Sequence, residues 1–455
     1  MMKKIKLLII LIFSILLVLL AIDNYGIWTD ETYSLNMIKN SFKDIFYIAK
    51  NLDDNIFYMI CLKSFILIFN VTTPKNIVIM SRIFSVIPII LLFLIGDKKI
   101  SEIHSEKHGL TFIVGIFVST IISYSIEIRV YSWTILFVTL AYIYFLKIVK
   151  NNDKTNWLIF IICSSVAFWF HKITVIPLGF LYVYLFFETL KEKEVKTFFK
   201  CFFITVLICV PWVLWSFYLN MDSLSESYVV GAIMPIFSYS KITETIVFPF
   251  NTGNLYLSLA YIVFIGTFFI YYIYLNYKNL DFHVFFGLFV LPLTIISLML
   301  IAYISNHDYY PKYMLPSLGV FFTSISIMIS NNKYNKQLIG ILLAFNLITY
   351  FNIFRFEQKS KEGFIELENY MNNNIKDETI IFNFDYGKYI IEYYQFDGLK
   401  DNELIWDLEF IEKPNSLYLI QTNKLDEYFK DNDFEMLKEF NISHDLFSLC
   451  KLNIQ

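Results

Sequence analysis

A few ionisable residues stand apart in a chain otherwise poor in charge. Asp30 and Glu31 lie in Gly26-Ile27-Trp28-Thr29-Asp30-Glu31-Thr32-Tyr33, just beyond the first apolar segment. Glu127 and Arg129 fall in a short turn between two later apolar segments, Arg82 sits at the mouth of another, and Lys312 precedes a late one. Carboxylates opposed by guanidinium and ammonium groups suit one reaction class, attack by a hydroxyl on a sugar carbon that carries a phosphate leaving group. A carboxylate base takes the hydroxyl proton. Cations absorb the charge that develops on the departing phosphate, and a guanidinium fork matches phosphate bidentately. On this reading Asp30 is the base and Arg129 and Lys312 hold the phosphate. The competing reading is a solvated acidic loop, and the layout of the rest of the chain decides between them.

That layout is set by composition. The 455 residues are 57% hydrophobic, 19% aromatic and 17% charged, against about 45–50% apolar and about 25% charged in ordinary soluble domains. The excess is gathered in apolar blocks separated by short Lys- and Asn-rich loops, the pattern of a multi-pass membrane protein. The 48 Phe and 32 Tyr suit interfacial belts and lipid-facing surfaces. A net charge of −3 gives no reason to expect a nucleic-acid partner. The five cysteines, Cys61, Cys163, Cys201, Cys209 and Cys450, show neither a disulfide framework nor zinc-ligand spacing. The basic start followed by residues 7–22 lacks a small-x-small cleavage site and reads as an uncleaved first span.

Apolar spans are predicted at 6–22, 79–96, 110–125, 131–149, 156–170, 173–190, 201–218, 254–275, 282–304, 313–330 and 337–353. Residues 55–70 are left out because the block is short and carries Lys63 near its middle. Laid on the surface, that block leaves the lysines of six short loops (Lys3, Lys4 and Lys6; Lys98, Lys99 and Lys107; Lys150 and Lys154; Lys191, Lys193, Lys196 and Lys200; Lys278; Lys333 and Lys336) all on one side. An excess of lysine in short loops marks the cytoplasmic face, so the N-terminus is expected on the cytoplasmic side of the plasma membrane. From Tyr33 to Asn51, Leu35, Ile38, Phe42, Ile45 and Phe46 recur at helical spacing with Lys39, Lys43 and Lys50 on another face, as in an interfacial helix. Residues 23–78 thus form one large outer loop.

The outer face then collects Asp30 and Glu31, Asp53 and Asp54, Arg82, Glu127 and Arg129, His171 and Lys172, and His307, Asp308 and Lys312. Ionisable groups close to the bilayer are costly unless paired or wetted, which makes them functional candidates; for Lys172 alone a snorkelling anchor is the better reading. From residue 358 the composition becomes more charged. Phe364, Leu367, Tyr370 and Met371 share a helical face, and 379–382 and 416–420 read as short strands. The expected fold is an all-α membrane domain over 1–357 followed by a small extracytoplasmic α/β domain over 358–455, a lid or docking module.

Trp28-Thr29-Asp30-Glu31-Thr32-Tyr33 resembles the first-loop Asp-Glu motif of GT-C glycosyltransferases, in particular the protein O-mannosyltransferase and aminoarabinose-transferase-like membrane enzymes. Four further stretches follow in the family's order. They are Ser81-Arg82-Ile83-Phe84-Ser85, Tyr124-Ser125-Ile126-Glu127-Ile128-Arg129-Val130-Tyr131, Phe170-His171-Lys172 and Pro311-Lys312-Tyr313-Met314-Leu315-Pro316. The resemblance implies a GT-C-like fold and inverting transfer of a hexosyl or pentosyl group from a polyprenyl-phosphate donor. The acceptor hydroxyl would belong to a glycan, lipid or protein of the cell envelope. It places catalysis at Asp30 and Glu31, the donor phosphate at Arg129, Lys312 and Arg82, and substrate contacts at Glu127, Tyr131, His171, Tyr313 and Asp54. Some relatives use a divalent cation, and Asp30, Glu31 and Glu127 could supply oxygen ligands to magnesium or manganese. The chain departs from the pattern twice, with Asp54-Asn55-Ile56 near the usual His-Pro-Pro and Lys312 for an arginine. The rival readings are a lipid-linked glycan polymerase or flippase, which needs no base at Asp30, and a transporter, which would carry mid-span charges and inverted repeats.

Overall fold

A computed structural model describes residues 2–23, 27, 29–46, 55–223, 238–278, 280–305, 309–374, 379–382, 402–404, 416–421, 434–442 and 445–452. Inside a bilayer each segment must satisfy its own backbone, so apolar blocks become helices. Among the described residues nine helices are long and apolar enough to cross a membrane: Met2–Asp23, Pro74–Ile103, Tyr131–Lys150, Lys172–Lys191, Val195–Trp215, Leu255–Asn276, Phe282–Ser305, Pro311–Asn331 and Asn335–Phe356. Each coincides with a predicted span. The segment predicted at 156–170 is the Lys154–Phe170 helix, whose 17 residues sit at the lower limit for a crossing. The segment predicted at 110–125 is apolar enough to cross but is broken, Glu106–Ile116 and Ser119–Ile126 meeting at a bend of 64°. The bend is stabilised from outside the segment. Ser119 Oγ donates to the Asn251 carbonyl and Thr120 Oγ1 to the Phe248 carbonyl (2.8 Å), tying the second half to the Phe248–Phe250 turn.

The most enclosed helices are Tyr131–Lys150 and Pro311–Asn331. Their close approach depends on small residues, since a Cβ at Gly319 would collide with Thr139 Oγ1. Met2–Asp23 exposes Leu7, Leu8, Leu11, Ile15 and Leu19, as a lipid-facing helix should.

In the first outer loop, the single helix predicted from Tyr33 to Asn51 is two. Thr29–Lys39 ends, and a new helical stretch begins at residue 42. Ser41 starts it as one half of a capping box, its Oγ accepting from the Asp44 N–H (3.1 Å) and donating to Asp44 Oδ2 (2.6 Å). Leu35, Ile38 and Ile45 are buried, as the periodicity requires, whereas Phe42 and Phe46 are exposed. Ile56–Ile68 has 13 residues, about 20 Å of helix, too short for a hydrocarbon layer of about 30 Å. Lys63 donates from Nζ to the Ile38 carbonyl (2.8 Å) in the last turn of Thr29–Lys39, where a cation satisfies both the open carbonyl and the helix dipole.

The charges sort by end. Lys6 bridges Asp97 (2.7 Å) and Glu106 (2.5 Å), and Lys147 bridges Glu102. Tyr131–Lys150 carries Lys147 and Lys150 at that end and begins beside Arg129 at the other. Asn335–Asn374 is one unbroken helix of 40 residues that passes straight through the boundary predicted at 357/358. It leads to a five-stranded sheet of β1 (Thr379–Phe382), β2 (Asn402–Leu404), β3 (Ser416–Gln421), β4 (Phe434–Ile442) and β5 (Asp445–Leu452) in the order β2-β1-β3-β5-β4. β1 pairs in parallel with β2 and β3; β5 is antiparallel to β3 and β4. The helix packs on the sheet through buried Leu367, a Glu366–Lys438 ion pair (2.7 Å) and Tyr370 edge-on to Phe440.

Candidate active site

Asp30 and Glu31 occupy the first turn of Thr29–Lys39, where open amides and the positive end of the helix favour carboxylates. Adjacent helical residues point about 100° apart, so the two acids enter different surroundings. Glu31 turns inward. Its Oε2 lies 3.2 Å from Arg82 Nη2, both side chains are 1% exposed, and its Oε1 accepts the Ile128 N–H at 2.9 Å. Arg82 therefore meets an acid of its own chain, an arrangement that joins the first outer loop to Pro74–Ile103 and to the 127–130 turn. This differs from the expectation that Arg82 meets the donor phosphate and Glu31 the reacting atoms.

Asp30 turns another way, and its side chain remains 26% exposed. Its Oδ2 accepts from Lys312 Nζ at 2.6 Å and lies 3.8 Å from Arg129 Nη2, while Arg129 Nη1 donates to the Asp30 carbonyl at 3.1 Å. Residues 99 and 282 positions away from Asp30 thus converge on one carboxylate. Lys312 is placed by the Pro311–Met314 turn, whose leading proline fixes the entry into the helix that follows.

Tyr131, His171 and Tyr313 form an aromatic wall beside this group. His171 stacks near Tyr131 (centroids 6.4 Å apart) and meets Tyr313 edge-on (6.2 Å). Its Nδ1 accepts the Ile173 N–H at 3.1 Å. Burial, reinforced by Arg129, Lys172 and Lys312, pushes the imidazole down to about 3. The ring is therefore neutral at physiological pH with its proton on Nε2, a hydrogen-bond donor and not a cation. Glu127 caps Ser119–Ile126 with extended backbone. Burial, followed by the Glu31 charge, raises its carboxyl well above the usual range, with Arg129 opposing. Asp54 lies outside the described residues.

Of the three carboxylates expected to offer oxygen ligands to a divalent cation, Glu31 is engaged by Arg82 and the Ile128 amide. Among the described residues no group of three His, Cys, Asp or Glu side chains is spaced to hold a metal. Two neighbours of the site escaped sequence reasoning. Tyr310 lies under both Lys312 (5.6 Å) and Lys241 (5.8 Å), and Lys241 comes from the Tyr239–Val247 helix. The tyrosine adjoins the recognised Pro311-Lys312 stretch; nothing in the sequence connects it with Lys241.

The helical membrane domain, the interfacial helices of the first loop and the terminal sheet together make a GT-C-like fold. Among solved structures, the chain is similar to ArnT from Cupriavidus metallidurans bound to undecaprenyl phosphate, with a TM-score of 0.57 and 8% identity over 97% of each chain. The apo form of that ArnT matches with a TM-score of 0.53 and 6% identity, over 86% of this chain and 87% of the other. No family model and no curated protein matches the sequence.

Proposed function

We propose that the protein is a membrane glycosyltransferase that moves a sugar, hexosyl or pentosyl, from a polyprenyl-phosphate donor to an acceptor hydroxyl on the extracytoplasmic face. The observation that carries this reading is the convergence of Lys312 (2.6 Å) and Arg129 (3.8 Å) on Asp30 Oδ2 at one end of an apolar bundle. The undecaprenyl phosphate bound to the ArnT neighbour supports a lipid-phosphate donor. The lysine pairs around Lys6 and Lys147, at the other end, support a cytoplasmic N-terminus and an outward-facing Asp30.

In the reaction, the donor phosphate draws Arg129 and Lys312 from the carboxylate, leaving Asp30 to accept a proton. The acceptor oxygen attacks the anomeric carbon, its proton passes to Asp30, and the carbon–oxygen bond to phosphate breaks with its electron pair leaving on the phosphate. Attack opposite the leaving group inverts the carbon. Arg129 and Lys312 meet the negative charge that accumulates, and the His171 Nε2–H is a further donor. Glu31 and Arg82 position the Asp30 turn.

The test is Asp30→Asn in membranes supplied with a labelled polyprenyl-phosphate sugar. Transfer should fall by about 10²–10⁴-fold while donor binding persists; retained transfer would remove Asp30 as the base. Identification of the head group on the co-purifying lipid would name the sugar.

A further inference from the structure

Six charged or ionisable side chains meet at the Asp30 end: Asp30, Glu31, Glu127, Arg82, Arg129 and Lys312. Their pairing is uneven. Arg82 engages Glu31, and Arg129 and Lys312 both engage Asp30, so among the described residues Glu127 receives no cation. Its Oε2 is buried and has no hydrogen-bond partner. Its backbone is held firmly, because the Arg129 N–H donates to the Glu127 carbonyl at 2.7 Å, closing a three-residue γ-turn. The central residue, Ile128, is fully buried and gives its own N–H to Glu31. That turn fixes Glu127 and Arg129 as neighbours at the same site. A carboxylate with one oxygen buried and given neither cation nor donor is disfavoured in its charged form and favoured as the acid.

We propose that Glu127 works as the neutral acid, donating its carboxyl O–H to a phosphate oxygen of the lipid-linked donor beside Arg129. This rests on the donor assigned above. A neutral carboxyl forms a short, charge-assisted bond to a phosphate oxygen, whereas an ionised one at the same place would repel it. Glu127 is thereby a binding residue distinct from Asp30, with the opposite protonation state.

Two measurements on the purified full chain test the assignment. Infrared spectra at neutral pH should contain a protonated-carboxyl band that disappears in Glu127→Gln; a spectrum unchanged by that substitution overturns the neutral state whatever the ligand. Binding of undecaprenyl phosphate in detergent should be within about twofold of wild type in Glu127→Gln, which keeps a donor. It should weaken by about tenfold or more in Glu127→Met, which keeps the length and loses the donor. Equal weakening in both variants overturns the donor role, as does wild-type binding in Glu127→Met. If the wild type takes up no undecaprenyl phosphate yet keeps the band, the lipid-phosphate reading and this contact fall together, while the protonation state stands.

Discussion

At the Lys6 end of the bundle, cations and acids are interleaved. Lys6 has Asp97 and Glu106, and Lys99 and Lys147 share Glu102, with Glu106 and Glu102 side chains 43% and 40% exposed. At the Asp30 end, two cations converge on a single carboxylate, a second acid is sealed with Arg82 at 1% exposure, and a third has no cation. Apart from Lys6 and Asp97, whose side chains are 6% and 13% exposed, the first arrangement is partly solvated, and its individual pairs contribute little. The second retains buried charge without maximising its pairing, the pattern expected where a ligand completes the set.

Beyond the loss expected of Asp30→Asn, the contrast breaks most visibly at Arg82. Arg82→Met strands Glu31 in the interior and should cost about 3–5 kcal/mol, read as a lower melting temperature in detergent. Adding Glu31→Gln should restore much of that loss. Next comes Lys312. Lys312→Met should raise the donor KM by about tenfold or more, and Lys312→Arg should stay within a few fold because it keeps the charge, a comparison made with the labelled donor. The third effect depends on pH. The folded His171 sits near 3, below an unfolded value of about 6.5. Its stabilisation is therefore full above that unfolded value and is lost as pH falls toward the folded one. Melts at pH 7 and pH 4.5 should show His171→Gln losing less stability on acidification than the parent, and the pH profile of transfer should show no histidine limb between pH 5 and 8. Smallest is Lys147→Met at the other end, expected to cost about 1 kcal/mol or less and to leave the donor KM unchanged.

Much of this was legible in the sequence because the bilayer imposes simple rules. Apolar length located the helices, and short-loop lysines grouped Asp30 with Arg129 and Lys312 before any contact was known. Lys63, at the middle of a short block, argued against a crossing at 55–70, and the helix there has 13 residues. The misses share a different cause. The bend at residues 117–118 lies in an unbroken apolar run, and the groups that stabilise it, at Phe248 and Asn251, are remote in sequence. The Glu31–Arg82 pair is equally non-local, and without it Arg82 looks like any outward cation. In β4, a bulge between Met436 and Lys438 interrupts the alternation that would have announced a strand. Ser41-Phe42-Lys43-Asp44 did carry a helix-start signal, which the longer apolar periodicity overrode.

The Asn335–Asn374 helix has a mechanical corollary. Forty residues make a rod of about 60 Å, roughly twice the hydrocarbon thickness, and it has no elbow. A tilt of its apolar half would be carried along a continuous backbone to Leu367 and Tyr370, which makes the helix a lever acting on the docked strands. A pair of glycines inserted near residue 357 would turn that lever into a tether.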